Sequence, residues 1–205
     1  MRVRITFSKT GALRYIGHLD LNTIWERAAR RAGLPLAYTQ GFHPQPKMNF
    51  ASALPLGFSS RCEVMDMRLN EDMDLIKLST QLQKVMPSGI GILKVESVDE
   101  HAPPLQTQIV SAEYEVTLTE TVTESELKRK MDEVMTSPSL PRRRRGKSYD
   151  LHPLIEKIDL KSENKILMKL ATREGATGRP EEVLDALGID IEKARVERTA
   201  LIFKN

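Results

Sequence analysis

The chain has 205 residues, with 40% hydrophobic and 29% charged side chains, a net charge of +3, four histidines and one cysteine, Cys62. That length and balance fit one large or two small globular units with a buried core. A single cysteine excludes an intrachain disulfide framework, a four-cysteine iron–sulfur cluster and a Cys₂His₂ zinc site built from this chain alone. We therefore expect no cofactor and no metal. With no long apolar run and no signal-peptide core in "MRVRITFSKTG", the expected location is cytoplasmic. Charge is unevenly spread. Met1–Arg61 holds nine Lys/Arg against two acids, for +7, and the rest is −4 yet contains "RRRRGK" at Arg142–Lys147. Two basic clusters suit a polyanion partner.

In chain order, "RVRITFSK" alternates strictly, with Val3, Ile5 and Phe7 on one face, and predicts a half-buried strand. A helix is expected from an Asp20 N-cap to Gly33, burying Leu21, Ile24, Trp25, Ala28 and Ala32 and exposing Arg27 and Arg30. "LPLAYT" reads as a short second strand. The connection Gly41–Ser60 follows, and "CEVMDMRL" is a third strand. A helix capped by Asn70 and stopped by Pro87 and Gly89 leads into "GILKVESV", the fourth strand. Asp99–Gln108, with paired prolines, reads as a linker.

The order then repeats. "AEYEVTLT" is a strand, and Thr123 with Glu126 predicts a capping box for a helix to about Met135. "IEKIDLK-SEN-KILMKLAT" is a hairpin, Pro180 to Gly188 bounds a helix, and "ARVERTALIF" is the last strand. The expected fold class is α+β: tandem ferredoxin-like βαββαβ units with antiparallel sheets, over 1–98 and 109–205, joined by 99–108.

Three stretches carry the functional reading. A connection as long as Gly41–Ser60 is usually functional or disordered, and its Phe42, Met48, Phe50, Leu54, Leu56 and Phe58 argue against disorder. It either packs on its own core or presents His43, Gln45, Lys47 and Asn49. "SKTGALRYIGHLD" places Lys9, Arg14 and His18 between the first strand and first helix, where the simplest reading of His18 is a structural histidine. "RRRRGK" reads as a basic loop able to meet several phosphates. The candidate RNA contacts are Lys9, Arg14, Phe42, His43, Lys47, Arg142, Arg143, Arg144, Arg145 and Lys147. There is no P-loop, dinucleotide fingerprint, nucleophile elbow or HExxH. His18 and His43 are the only weak candidates for acid–base chemistry.

"HLDL", "RRAGLP" and "QGFHPQP", within Phe7–Ser60, resemble the start of a bacterial family of unknown function associated with radical-SAM proteins. "YDLHPLI" and "GRPEEVLDALG" resemble its second half. Where that family often reads Asn-Pro-His-Pro after Gly-Phe, this chain has His43-Pro44-Gln45-Pro46. In the family it resembles, the same unit occurs alone or fused behind a B12-binding radical-SAM enzyme. The resemblance implies a radical-SAM enzyme as a separate partner chain, and its setting among translation and RNA-processing genes points to tRNA or rRNA. The leading expectation is a non-catalytic RNA-binding module that presents substrate to such an enzyme. The alternatives are a metal-independent RNA endonuclease, similar in topology only to CRISPR RNA endonucleases, and a protein-interaction adaptor.

Overall fold

The computed structural model describes every residue except Thr121, Arg145, Glu174 and Asn205. It is a mixed α+β protein with mainly antiparallel strands and two compact units, Met1–Gln108 and Ile109–Asn205.

The first unit contains β1 (Arg2–Lys9), α1 (His18–Arg31), β2 (Met48–Phe50), β3 (Ser59–Arg68), α2 (Leu75–Val85) and β4 (Ile90–Val98). β1 pairs with β3 on one side and β4 on the other, and β2 pairs with the far edge of β3, all antiparallel. The spatial order is therefore β4–β1–β3–β2. Alternation in β1 sends Val3, Ile5 and Phe7 inward. They meet Trp25 of α1, Leu78 and Leu82 of α2, and Met65 and Met67 of β3 in one buried cluster. Both helices thus cover the same sheet face.

The opposite face holds a buried ion cluster. Arg4 lies directly across from Asp66 in the ladder. Asp66 is 2% exposed and accepts from Arg2 at 2.6 Å and Arg4 at 2.8 Å. Arg2 also donates to the carbonyls of Ala102 (2.7 Å) and Pro103 (3.0 Å). Leu105 is fully buried. Residues 99–108, expected to be a linker, are therefore fastened to the first unit by a guanidinium and an apolar plug.

Three local expectations are corrected. The second strand is Met48–Phe50, not Leu34–Thr39, which makes only the isolated bridges Leu36–Leu69 and Tyr38–Pro46. α1 begins at His18, two residues before Asp20, with Gly17 as N-cap. α2 is capped by Asp74, whose carboxylate accepts from the Lys77 N–H at 2.7 Å. Asn70 instead donates its side-chain amide to the Leu36 carbonyl, tying down the turn after α1.

The second unit runs β5 (Ile109–Leu118), α3 (Glu124–Thr136), β6 (Pro141–Arg144), β7 (Lys147–Asp150), β8 (Ile155–Ser162), β9 (Lys165–Arg173), β10 (Ala176–Thr177), α4 (Pro180–Ala186) and β11 (Ala194–Phe203). β5 lies between β9 and β11, and β8 takes the far edge of β9. The order β8–β9–β5–β11 repeats that of the first unit, with the β6–β7 hairpin inserted before its second strand. Thr123 is the N-cap of α3, but its side chain makes no capping bond, and Glu126 pairs with Lys130 at 3.3 Å rather than closing a box.

Candidate nucleic-acid interface

The connection between α1 and β3 is not one lip. It divides into an arm and a packed return. Ala37 and Lys47, then Thr39 and Gln45, face each other: the Lys47 N–H donates to Ala37 O (2.8 Å) and the Thr39 N–H to Gln45 O (2.8 Å). The Gln45 N–H donates to the Thr39 hydroxyl at 2.9 Å. Pro44 and Pro46 fix φ in the returning limb. Gly41 turns the tip at φ +128°, a conformation that side-chain-bearing L residues rarely adopt. At that tip Phe42 is fully exposed and His43 is exposed, while Lys47 is exposed at the base of the arm opposite Ala37.

The return, Ala51–Phe58, buries Ala51, Leu54 and Phe58. Its Gly57 N–H donates to Arg14 O at 2.8 Å, so the two loops singled out in the sequence do touch. The Lys9–His18 loop is also anchored to the α2–β4 turn. Thr10 N–H donates to Gly89 O at 2.8 Å, and a Cβ at Gly89 would lie 2.7 Å from Thr10 O. Only glycine fits there, at φ +99°.

The expected contact residues separate on this geometry. Lys9 belongs to β1 and is 1% exposed, with Nζ donating to Ile16 O at 3.0 Å. Its assignment to a phosphate is therefore corrected: its parity with Val3, Ile5 and Phe7 turns it inward, where it braces the loop. Arg14 lies over the Tyr15 ring at 4.7 Å and donates to the Tyr15 hydroxyl at 2.7 Å. His18 is edge-on to Phe50. His43 stands on the arm tip instead.

"RRRRGK" was expected to be a loop, yet it builds the β6–β7 hairpin. Strand alternation splits its arginines. Arg142 is half-buried, donating to Glu182 O (3.3 Å) and pairing with Asp185 (3.1 Å). Arg144 is also half-buried, whereas Arg143 and Lys147 are exposed. Arg145 lies outside the described residues. Burial first, and the Glu182 carboxylate second, raise the Tyr149 phenol above its ordinary range.

Sequence reasoning placed Arg27 and Arg30 on the outer face of α1 but assigned them no role. In the structure Arg27, Arg30 and Arg31 are all exposed, and Arg30 Nε donates to Tyr38 Oη at 3.2 Å. A basic helix face therefore adjoins the base of the arm. The available signal was Tyr38 itself, an aromatic one helix-terminus away from three arginines. Tyr15 and Leu56 on these loops, and Leu19 in the first turn of α1, are large exposed side chains. Among the described residues, no cluster of three or more His, Cys, Asp or Glu could hold a metal ion. Also among them, no helix is long and apolar enough to cross a membrane.

The family model described as "Uncharacterized protein conserved in bacteria (DUF2344)" matches residues 2–180. The chain belongs to this family. No curated protein matches it in sequence. Among solved structures, it is similar to a chain in the crystal structure of a Cbf5-Nop10-Gar1 complex, at 10% identity and TM-score 0.47 over 97% of this chain. It is also similar to one in an archaeal box H/ACA sRNP Nop10-Cbf5 complex, at 12% identity and TM-score 0.44, again over 97% of this chain. The DUF2344 chain spans about half the length of those chains, 48% and 47%.

Proposed function

We propose that this DUF2344 protein is a non-catalytic RNA-binding module, built from two ferredoxin-like units, that presents tRNA or rRNA to a radical-SAM enzyme supplied by another chain in the cytoplasm. The observation that carries the reading is the exposed cation set of the first unit, with Lys47 on the arm and Arg27, Arg30 and Arg31 on α1, on a unit whose arm also carries the fully exposed Phe42. Phosphates supply affinity to such a surface, and aromatics take up unstacked bases. In the second unit, Arg143 and Lys147 are exposed on the β6–β7 hairpin and offer phosphate contacts of their own. His18, packed on Phe50, favours this reading over an endonuclease with paired histidines.

A salt titration of tRNA binding tests the RNA half of the reading. Each neutralised phosphate on single-stranded RNA adds about −0.7 to the log–log slope. Lys47→Ala should weaken binding and flatten the slope by roughly one unit at most. No binding at low salt would sink the RNA reading. The radical-SAM half is tested by adding the protein to radical-SAM RNA-modifying enzymes of the same organism and measuring modified nucleosides; yield independent of this protein would overturn it. A second reading, a protein-interaction adaptor, is favoured by exposed Tyr15, Leu19 and Leu56. Under it, partner capture survives nuclease treatment.

A further inference from the structure

We infer that Phe42 is a base-stacking wedge, and that the RNA this surface selects carries an unpaired nucleotide beside a helix rather than an uninterrupted duplex. The inference rests on the RNA reading above and deepens it.

Three observations converge on the arm tip. First, Phe42 is fully exposed. Leaving a phenylalanine in water forgoes about 1.5–3 kcal/mol of burial, and the same connection buries Phe50 in β2 and Phe58 in the return. The chain can therefore bury aromatics here and leaves this one out. Second, the tip is held rather than loose. The Ala37–Lys47 and Thr39–Gln45 hydrogen bonds clamp the limbs, and two prolines stiffen one of them. Stiffening reduces the entropy lost when the tip docks. Third, the base of the arm carries cations. Lys47 is on the arm, and Arg30 reaches its base through Tyr38, with Glu26 already paired to Arg30 at 2.7 Å.

An exposed ring on an arm with cations at its base is matched to a ligand offering both a flat apolar face and a line of negative charge. A nucleobase on its phosphate backbone has both. In a continuous A-form helix the bases are stacked on one another and the major groove is too narrow to enter. The ring can reach a base face only where one is already unstacked, at a bulge, loop or end. One aromatic gives too little apolar area to hold the chain on a membrane alone, which takes a broader apolar face or two anchoring signals.

The test uses two RNA hairpins of equal length, one with a single-nucleotide 2-aminopurine bulge and one fully paired with 2-aminopurine at the same height. Wild type, Phe42→Ala, Phe42→Trp and Lys47→Ala are titrated by anisotropy and 2-aminopurine fluorescence. Wild type should prefer the bulged hairpin and change its fluorescence on binding. Phe42→Ala should lose roughly 5- to 100-fold on the bulged RNA and little on the duplex, with its salt slope unchanged. Phe42→Trp should restore affinity. Because Phe42 is fully exposed, the alanine variant should unfold at the same urea concentration as wild type. Equal loss on both RNAs, or no fluorescence change, overturns the wedge while leaving charge-driven RNA binding in place. No RNA binding by wild type overturns both. Phe42-dependent binding to phosphatidylserine vesicles without RNA binding would assign the tip to a membrane instead.

Discussion

His18 stands edge-on to Phe50, with ring centroids 5.2 Å apart and planes at 76°. Phe50 in turn meets Phe7 at 6.2 Å, and Phe7 meets Trp25 at 4.8 Å, both edge-to-face. His18 is thus the outer member of an aromatic series running from the core to the start of α1. Such pairs add about 0.5–1.5 kcal/mol each beyond area burial. His18→Ala should lower stability by that amount in urea denaturation, and His18→Phe should recover most of it. RNA incubated with wild type should stay intact. RNA cleavage lost in His18→Ala would restore the endonuclease reading.

Asp66 anchors the other sheet face. Removing it leaves the Arg2 and Arg4 guanidiniums in a buried site without their shared carboxylate. Asp66→Ala should cost about 3–5 kcal/mol, read as a lowered urea midpoint. It should also increase proteolysis within residues 99–104, because Arg2 holds the Ala102 and Pro103 carbonyls. A loss under 1 kcal/mol would show that the cluster is not structural.

Glu115 accepts from Lys165 at 2.9 Å and Lys161 at 3.0 Å, and these bonds hold its carboxyl down to about 2 from an ordinary 4.5. Its folded pKa is depressed, so the stability it contributes is present above about pH 4.5 and is lost as pH falls toward 2. Partly exposed lysines and salt screening reduce the contribution to about 1–2 kcal/mol. Glu115→Gln should be less stable than wild type at pH 7, with the gap closing between pH 4.5 and pH 2. A gap constant across that range would refute the assignment.

The basic hairpin should divide by face. Arg143→Ala and Lys147→Ala should weaken RNA binding and flatten its salt slope without changing stability. Arg142→Ala should mainly destabilise the α4 contact, by about 0.5–1.5 kcal/mol for its lost bonds. Equal effects of all three on RNA affinity would mean that Arg142 leaves Asp185 when RNA binds.

Much of the fold is carried by local signals that the sequence holds by itself. Period-two alternation marks Arg2–Lys9 and Ala112–Leu118, because one buried face forces it. The hairpin Ile155–Arg173 and the helix between Pro180 and Gly188 also stand out, since their turn and cap residues have fixed backbone preferences. The two basic clusters and the unusual connection are visible as composition. Tertiary structure decided the rest, where pairing outweighs propensity. Met48–Phe50 is too short to show a period and is a strand because β3 offers it an edge. Arg142–Arg144 is a strand because Lys147–Asp150 pairs with it. Asp20 and Asn70 are good caps by type, but Gly17 and Asp74 occupy the positions where the chain turns into each helix. Lys9, charged and near glycine, looks like a loop residue, and only the length of β1 puts its ammonium inside. Whether a cation or aromatic faces solvent depends on which strand face it occupies and what packs above it, so Phe50 is core and Phe42, eight residues earlier, is surface.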